Sequence, residues 1–197
     1  MKQLVVLLGF VLLTVGGCQE VSQTKSGVEV VTEDNGEFPE FLAGTWKCDG
    51  QVIEVVFEPN GIISSAVMPL GEERMKPDEM VEFNNVDVNN VGAKGFFKAG
   101  RRWAVHYAPA SRELEVELSL EQYRVEMAGG EIIEGKSRDV FAGKVSDDGN
   151  TWQADWFAFP EYYVITDTNK NSKLPVDIND NPVATLIFRK VTSPPPE

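Results

Sequence analysis

The chain has 197 residues, a formal net charge of −13 and a single histidine. Its length fits one domain or two. The 31 acidic against 18 basic residues argue against a nucleic-acid partner, because such a partner needs a concentrated basic face. One histidine and two cysteines exclude a Cys/His zinc site and a disulfide-rich scaffold. We therefore expect neither a metal nor another cofactor.

The N-terminus has the organisation of an export signal. A lysine follows the first methionine, and residues 4–13 form an apolar run that is too short to span a bilayer. Residues 13–18, Leu-Thr-Val-Gly-Gly-Cys, resemble a bacterial lipobox. The resemblance implies a signal peptide at 1–17 and a mature chain anchored in the lipid bilayer through acylated Cys18. Gln19 follows in place of aspartate, which implies the outer membrane, facing the periplasm or the cell surface.

The mature chain divides into three parts by composition. Residues 18–37 are polar and of mixed charge, apart from a brief apolar patch at Val28–Val31, and predict a flexible tether. Residues 38–192 contain the apolar periodicity of a folded domain. The tail, 193–197, is proline-rich and predicts an extended, disordered end.

Within the folded domain the apolar residues repeat every second position, which is typical of strands with one buried face. Asn60-Gly61, Gly129-Gly130 and the segment 147–150 predict tight turns between neighbouring strands. The predicted strands cover 53–58, 62–68, 103–107, 113–120, 123–127, 140–145, 151–159 and 183–191.

Proline placement supports the same interpretation, because proline cannot donate to a strand ladder and collects at strand ends. Pro160, for example, falls just after the predicted strand 151–159. Only residues 71–80 could hold a short helix, interrupted by Pro77. About eight to ten short strands with turns between neighbours predict an all-β, antiparallel up-and-down barrel, with a β-sandwich as the alternative.

The start of the folded domain carries a more specific resemblance. Residues 38–47, which contain Gly44-Thr-Trp46, resemble the opening of lipocalins and fatty-acid-binding proteins. That resemblance implies that Trp46 plugs the closed end of a lipocalin-like barrel whose first and last strands pair. It also implies that Arg189, on the last strand, packs on the ring of Trp46 by a cation–π contact.

The side chains that could take part in catalysis do not form a recognisable catalytic set. By alternation along the strand, His106 is expected to face outward, on the side opposite to Trp103 and Tyr107. The sequence contains no Gly-x-Ser-x-Gly nucleophile elbow that could accompany it in a catalytic triad. Cys48 shares the face of Trp46 and is expected to be buried. Glu113, Glu115 and Glu117 are expected to form a solvated face. The Asp- and Asn-rich loop at 167–181 begins like a calcium loop but lacks its later ligands, so calcium binding there stays open.

Aromatic residues are concentrated at 152–163. Trp152 and Trp156 share one strand face, and with Trp103 and Tyr107 they are candidates for the wall of a ligand site. The sequence therefore predicts a non-enzymatic, membrane-anchored lipoprotein that binds a small apolar or amphipathic ligand. The alternative is a structural envelope lipoprotein that binds a protein partner through an exposed aromatic face containing Phe157 and Phe159.

Overall fold

A computed structural model describes residues 23–25, 28–33, 36–69, 72–88, 91–165, 171–173 and 182–191. The described chain is all-β and contains no α-helix, as predicted. A short 3-10 turn, Glu40–Leu42, precedes the strand that carries Trp46. The strands are β1 (Gln23–Lys25), β2 (Val28–Thr32), β3 (Gly44–Cys48), β4 (Glu54–Phe57), β5 (Ile63–Val67), β6 (Arg74–Met75), β7 (Met80–Val88), β8 (Val91–Ala99), β9 (Trp103–Ala108), β10 (Glu113–Met127), β11 (Ile132–Val145), β12 (Thr151–Ile165), β13 (Asn171–Lys173) and β14 (Ala184–Lys190).

The fourteen strands belong to one mixed sheet. The main path runs β1-β2-β9-β10-β11-β12-β14-β3-β4-β5-β6, while β7 and β8 extend from β10, and β13 pairs with β12. The ladders are antiparallel except that between β2 and β9, which is parallel. Among the described strands no ladder joins β6 back to β1 or β9, so the sheet is not closed. The predicted antiparallel barrel of eight to ten strands is thus replaced by a larger, mixed and open sheet.

The long meander β10-β11-β12 joins two regions of this sheet. The first part of β10, Glu113–Glu117, pairs with β9, whereas Leu120–Met127 pairs with β8 after a register shift. In the same way β12 pairs with β14 at its start and with β13 at its end. We call the first region the base: it comprises β2–β6, β9, β14 and residues 113–118, 140–145 and 151–155. We call the second the arm: it comprises β7, β8, β13 and residues 120–127, 132–139 and 156–165.

The base has a core of large aromatic side chains that alternate with outward polar residues. Trp46, Trp103, Trp152 and Phe188 are fully buried. The rings of Trp152 and Phe188 stack with centroids 4.6 Å apart, and Phe141 meets Phe188 edge-on at 5.8 Å. Burying a side chain of this size contributes about 2–3 kcal/mol through the hydrophobic effect. The core of the base is therefore the main source of stability.

The predicted tight turns are confirmed. Gly61 has φ +83°, and a Cβ atom there would lie 2.6 Å from the ring of Phe38. Glycine is therefore required at this position both by the backbone conformation and by the close approach of the ring. Gly130 and Gly149 also adopt positive φ, in the turns that separate β10 from β11 and β11 from β12.

The N-terminal segment departs from the predicted tether. Val28–Thr32 form β2 at the edge of the base, and Val28 and Val30 are buried against it. The apolar patch that interrupts the polar composition is thus a strand, since its valines alternate with residues of the opposite face. Residues 1–22, which include the predicted signal peptide and Cys18, lie outside the described residues, as does the predicted tail at 193–197.

Three further elements differ from the sequence-based boundaries. Within 71–80, the described residues 72–80 contain the short strand β6 and no helix. Strand β11 begins at Ile132, eight residues before the predicted start. Strand β12 continues through Pro160 to Ile165. Pro160 pairs with Ser137 of β11, and it lies between the stretches of β12 that pair with β14 and β13, where the missing N–H of proline removes no described ladder bond on that side.

Candidate functional site

Three of the four residues predicted to line a ligand site belong to the core of the base. Trp103 and Trp152 have no exposed surface, and Tyr107 is 2% exposed. The indole N–H of Trp103 donates to the carbonyl of Ser119 at 3.1 Å. The corresponding N–H of Trp152 has no partner among the described residues. All three side chains belong to the buried apolar core, so we correct their assignment from ligand wall to core.

Trp156, the fourth predicted wall residue, occupies a different environment. It lies where the base meets the arm, is part-exposed and packs on the ring of Phe141 with centroids 6.1 Å apart. Its indole N–H donates to Asp139 Oδ1 at 2.8 Å. Of the four predicted residues it is the one that joins the aromatic core to a buried polar group.

The ladder between β3 and β14 contains Trp46, but Trp46 does not have the expected partner. Strand β3 does pair with β14, and Trp46 is fully buried with its N–H donated to the carbonyl of Leu42 at 2.8 Å. Arg189 lies opposite Lys47 on the outer face, because side chains alternate along the strand. Its guanidinium pairs with Asp49 at 2.8 Å and its side chain is 61% exposed. The predicted contact of Arg189 with Trp46 is therefore wrong.

Lys190 occupies the position that the resemblance assigned to Arg189. It lies opposite Trp46 in the ladder, and its ammonium donates to the carbonyl of Phe41 at 2.7 Å. The side chain passes Gly44, where a Cβ atom would lie 3.4 Å from Lys190 Cε. That distance is an ordinary van der Waals contact, so glycine is favoured at position 44 by its φ of +115° and not by lack of space.

Asp139 is the buried polar group that the arm presents next to Trp156. The residue is 6% exposed. Its Oδ1 accepts from Trp156, and its Oδ2 accepts from the hydroxyl of Ser137 at 3.1 Å. Burial raises the pKa of Asp139, and the two hydrogen bonds offset that rise only in part. No lysine or arginine among the described residues contributes to this pKa, so the carboxylate has no cationic partner there.

Two tyrosines face the same side of the arm. The ladders place Tyr123 of β10 and Tyr162 of β12 on either side of Gly135. A Cβ atom at Gly135 would lie 2.2 Å from the carbonyl oxygen of Glu161, so a side chain cannot be accommodated between the tyrosines. Burial, the charge of Tyr162 and the charge of Asp139 together raise the pKa of Tyr123 to about 12. The described side chains on the inner face of the arm therefore group a carboxylic acid with aromatic rings and include no basic residue near Asp139.

The other candidate residues lie where the sequence predicted them, on the surface or in the core. His106 faces outward, with Nε2 3.7 Å from Glu33 Oε1, and lines a groove of about 250 Å³ with Glu113 and Glu115. Glu117 pairs with Arg138 at 3.3 Å. In the part of the chain that the structure describes, no three acidic, histidine or cysteine side chains are grouped to hold a metal ion.

Cys48 is a buried free thiol, and burial raises its pKa. A raised pKa disfavours the thiolate, which is the nucleophilic form. The Asp- and Asn-rich loop predicted at 167–181 lies outside the described residues, apart from β13. None of the described residues belongs to a helix long and apolar enough to cross a bilayer.

Comparison with known proteins adds no assignment. No protein-family model, no characterised protein sequence and no solved structure shows significant similarity to this chain.

Sequence reasoning missed Asp139, Ser137, Tyr123 and Tyr162 as members of one site. Asp139 could have been identified from the sequence, because strand alternation places it on the same face as Phe141 and Val145, which are buried. A charged residue at an inward position of a strand is expensive unless it has a partner. The assignment failed because the predicted strand began at residue 140 and so excluded the aspartate.

Proposed function

We propose that this chain is a lipid-anchored envelope protein that binds a small amphipathic molecule on the inner face of the arm, next to Asp139. The observation that supports the proposal most strongly is a 6% exposed carboxylate with two neutral donors and no described cation. Groups whose pKa values are perturbed by burial occur preferentially at functional sites.

The contrast with the base supports this position for the site. The base is filled by Trp46, Trp103, Trp152 and Phe188. The arm combines part-exposed Trp156 and Tyr162 with a buried acceptor. Small-molecule sites typically have mostly apolar and aromatic walls and a few placed polar groups. We propose a lipocalin-like mode of binding, in which the inner face of a curled sheet holds the ligand.

The cellular setting of the proposal rests on the sequence. The lipobox-like segment ending at Cys18 supports acylation and attachment to the outer membrane. Because β1, the first strand of the sheet, begins at Gln23, residues 19–22 separate Cys18 from the sheet, a span of roughly 18 Å when fully extended. The binding face would thus lie close to the membrane, where amphipathic molecules are concentrated.

The test is extraction of the bound molecule from the full-length protein. The acylated chain is purified from membranes in detergent, and solvent extracts are compared by mass spectrometry with those of Trp156→Ala and Phe157→Ala. Phe157 is the matched control, because it follows Trp156 on β12 and faces the opposite side of the sheet. We expect one compound in near-stoichiometric amount in the wild type and Phe157→Ala, and its loss from Trp156→Ala.

Two results would contradict the proposal. The first is equal retention of the compound by all three proteins. The second is an empty wild-type protein that also takes up no compound from a total solvent extract of its native envelope.

The outer face of the arm supports a second candidate, the binding of a protein partner. Phe157 and Phe159 are part-exposed there, and the guanidinium of Arg138 lies 4.5 Å from the ring centroid of Phe159. Aromatic residues and arginine are enriched at protein interfaces. Crosslinking in native membranes distinguishes the candidates: a specific partner lost with Phe157→Ala but kept with Trp156→Ala favours the interface.

A further inference from the structure

We infer that the Asp139 site selects ligands whose polar group is a positively charged amine or quaternary ammonium. This inference rests on the proposed function, since it names the class of molecule that the same site binds. Three observations support it. The carboxylate of Asp139 can accept further hydrogen bonds, the neighbouring lysine and arginine side chains point to the opposite face of the sheet, and aromatic rings lie near the carboxylate.

The carboxylate of Asp139 can accept more hydrogen bonds than it receives from the described residues. An ionised carboxylate offers about four lone-pair positions. Trp156 and Ser137 supply one donor each, to different oxygens. A ligand that completes the site must therefore donate hydrogen bonds or bring positive charge. An anionic head group would add a like charge to a buried one and would be rejected.

The neighbouring cations of the protein are turned away from this face. Lys136 and Arg138 flank Ser137 on β11 but point to the outer face. There Lys136 pairs with Glu161 at 3.2 Å, and Arg138 pairs with Glu117 at 3.3 Å. Because alternation along the strand directs both side chains outward, neither neutralises Asp139.

The aromatic side chains near Asp139 suit the same class of ligand. Trp156 contacts the carboxylate directly, and Tyr123 and Tyr162 face the same side of the arm. The electron-rich faces of such rings attract cations, and quaternary ammonium groups are recognised in this way. About 13 Å of strand separates Asp139 from Gly135, which lies between the tyrosines, so a ligand that contacts both groups needs an apolar portion of about that length.

The test compares three probes that share a ring and differ in charge: benzyltrimethylammonium, benzyl alcohol and benzoate. Binding to the full-length protein in detergent is measured by isothermal titration calorimetry, with empty micelles as the blank. We expect benzyltrimethylammonium to bind at least about tenfold more tightly than benzyl alcohol, and benzoate to bind more weakly than either.

Two variants separate the local carboxylate from the overall negative charge. In Asp139→Asn the preference for the cation over the alcohol should disappear. Asp147→Asn removes the same charge from an exposed turn and should change the preference by less than about twofold, because exposed charges are screened by solvent. Asparagine can keep both contacts of Asp139, with its oxygen accepting from Trp156 and its amide donating to Ser137.

A pH series on the wild type gives the same information without a variant. Among the residues whose side chains are described, the titratable groups on the same face as Asp139 are Tyr123 on β10 and Tyr162 on β12, and phenols do not ionise in acid. As the pH falls and Asp139 takes up a proton, the affinity for benzyltrimethylammonium should fall while that for benzyl alcohol stays constant.

Each possible result decides the inference. Benzyl alcohol or benzoate binding as tightly as the cation would overturn the ligand class and leave the proposed site intact. Absence of binding by all three probes would also overturn the class, and the extraction experiment would then judge the proposed function separately. A cation preference that survives in Asp139→Asn would show that another group recognises the charge.

Discussion

The base and the arm share three long strands, and each contains a buried carboxylate. The two carboxylates differ in their partners and in the direction of their pKa shifts. Glu54 of the base has a side chain that is 10% exposed, and it pairs with Arg74 and with Lys47, the latter at 3.3 Å. Burial alone would raise the pKa of Glu54, but the hydrogen bonds and charges of these partners outweigh it and lower the pKa. Asp139 of the arm receives only neutral donors, and its pKa is raised.

The comparison separates the region that supplies most of the aromatic packing from the region where we propose binding. Among the described side chains of the base, the indole N–H of Trp152 is the one buried polar group without a hydrogen-bond partner. In the arm, burial of Asp139 without a described cation weakens the free protein, and in our proposal a ligand supplies the missing positive charge. Six substitutions can break or sharpen this contrast.

Trp152→Ala should have the largest effect. Trp152 is fully buried and stacked on Phe188, so its removal should lower the free energy of unfolding by about 3–5 kcal/mol. Trp156→Ala, on the same strand face but part-exposed, should cost no more than about 2 kcal/mol. Urea denaturation followed by circular dichroism measures both. Equal losses would mean that the arm is packed as tightly as the base.

Glu54→Gln should lower the free energy of unfolding at neutral pH by about 1–2 kcal/mol, discounted because Arg74 and Lys47 are half-exposed. The pKa of Glu54 is lowered in the folded state, so its contribution is present above the ordinary value of 4.5 and is lost as the pH falls through the folded value. The difference between wild type and variant should therefore shrink in acid. A difference that persists unchanged at low pH would contradict the ion-pair account.

Asp139→Asn should act in the opposite direction and raise the free energy of unfolding at neutral pH by up to about 1 kcal/mol. The pKa of Asp139 is raised on folding, so the folded state loses stability as the pH rises from the ordinary value of 3.8 through the raised value. The gain from asparagine should be present at neutral pH and vanish below that window. A variant less stable than the wild type at neutral pH would show that the ionised carboxylate stabilises the fold.

The smallest effects are expected at the ladder between β3 and β14. Arg189→Ala removes an exposed ion pair with Asp49 and should change the free energy of unfolding by less than about 0.5 kcal/mol. Lys190→Ala removes a hydrogen bond to Phe41 and should cost about 0.5–1 kcal/mol. The reverse order, measured by the same denaturation experiment, would restore Arg189 to the role that the sequence resemblance implied.

Local signals in the sequence predicted much of the fold. Alternation predicted the strands around Trp103 and Leu114, and Asn60-Gly61 predicted its hairpin, because these features depend on neighbours in the chain. Strands β7 and β8 were missed, since two asparagines at 84–85 interrupt the apolar pattern of β7 and two glycines lower the strand propensity of β8. The parallel ladder of β2 and the openness of the sheet depend on pairings between distant segments, which no local pattern specifies.

The candidate site was predicted only in part for a related reason. Trp156 was selected for its aromatic ring, but the same criterion selected Trp103 and Trp152, which are core residues. What distinguishes Trp156 is the carboxylate that accepts its N–H, and that partner lies on the neighbouring strand, seventeen positions earlier in the chain. Contacts across a sheet follow from register, and the register of β11 against β12 could not be deduced while the start of β11 was misplaced.

The central claim is that Asp139 is an uncompensated buried carboxylate available to a cationic ligand. Its titration by carbon-13 NMR of aspartate-labelled protein, assigned with Asp139→Asn, tests that claim most directly. We predict that the pKa of Asp139 lies above its ordinary value of 3.8 in the free protein and falls when benzyltrimethylammonium is added. A pKa at or below the ordinary value that the probe leaves unchanged would contradict the account.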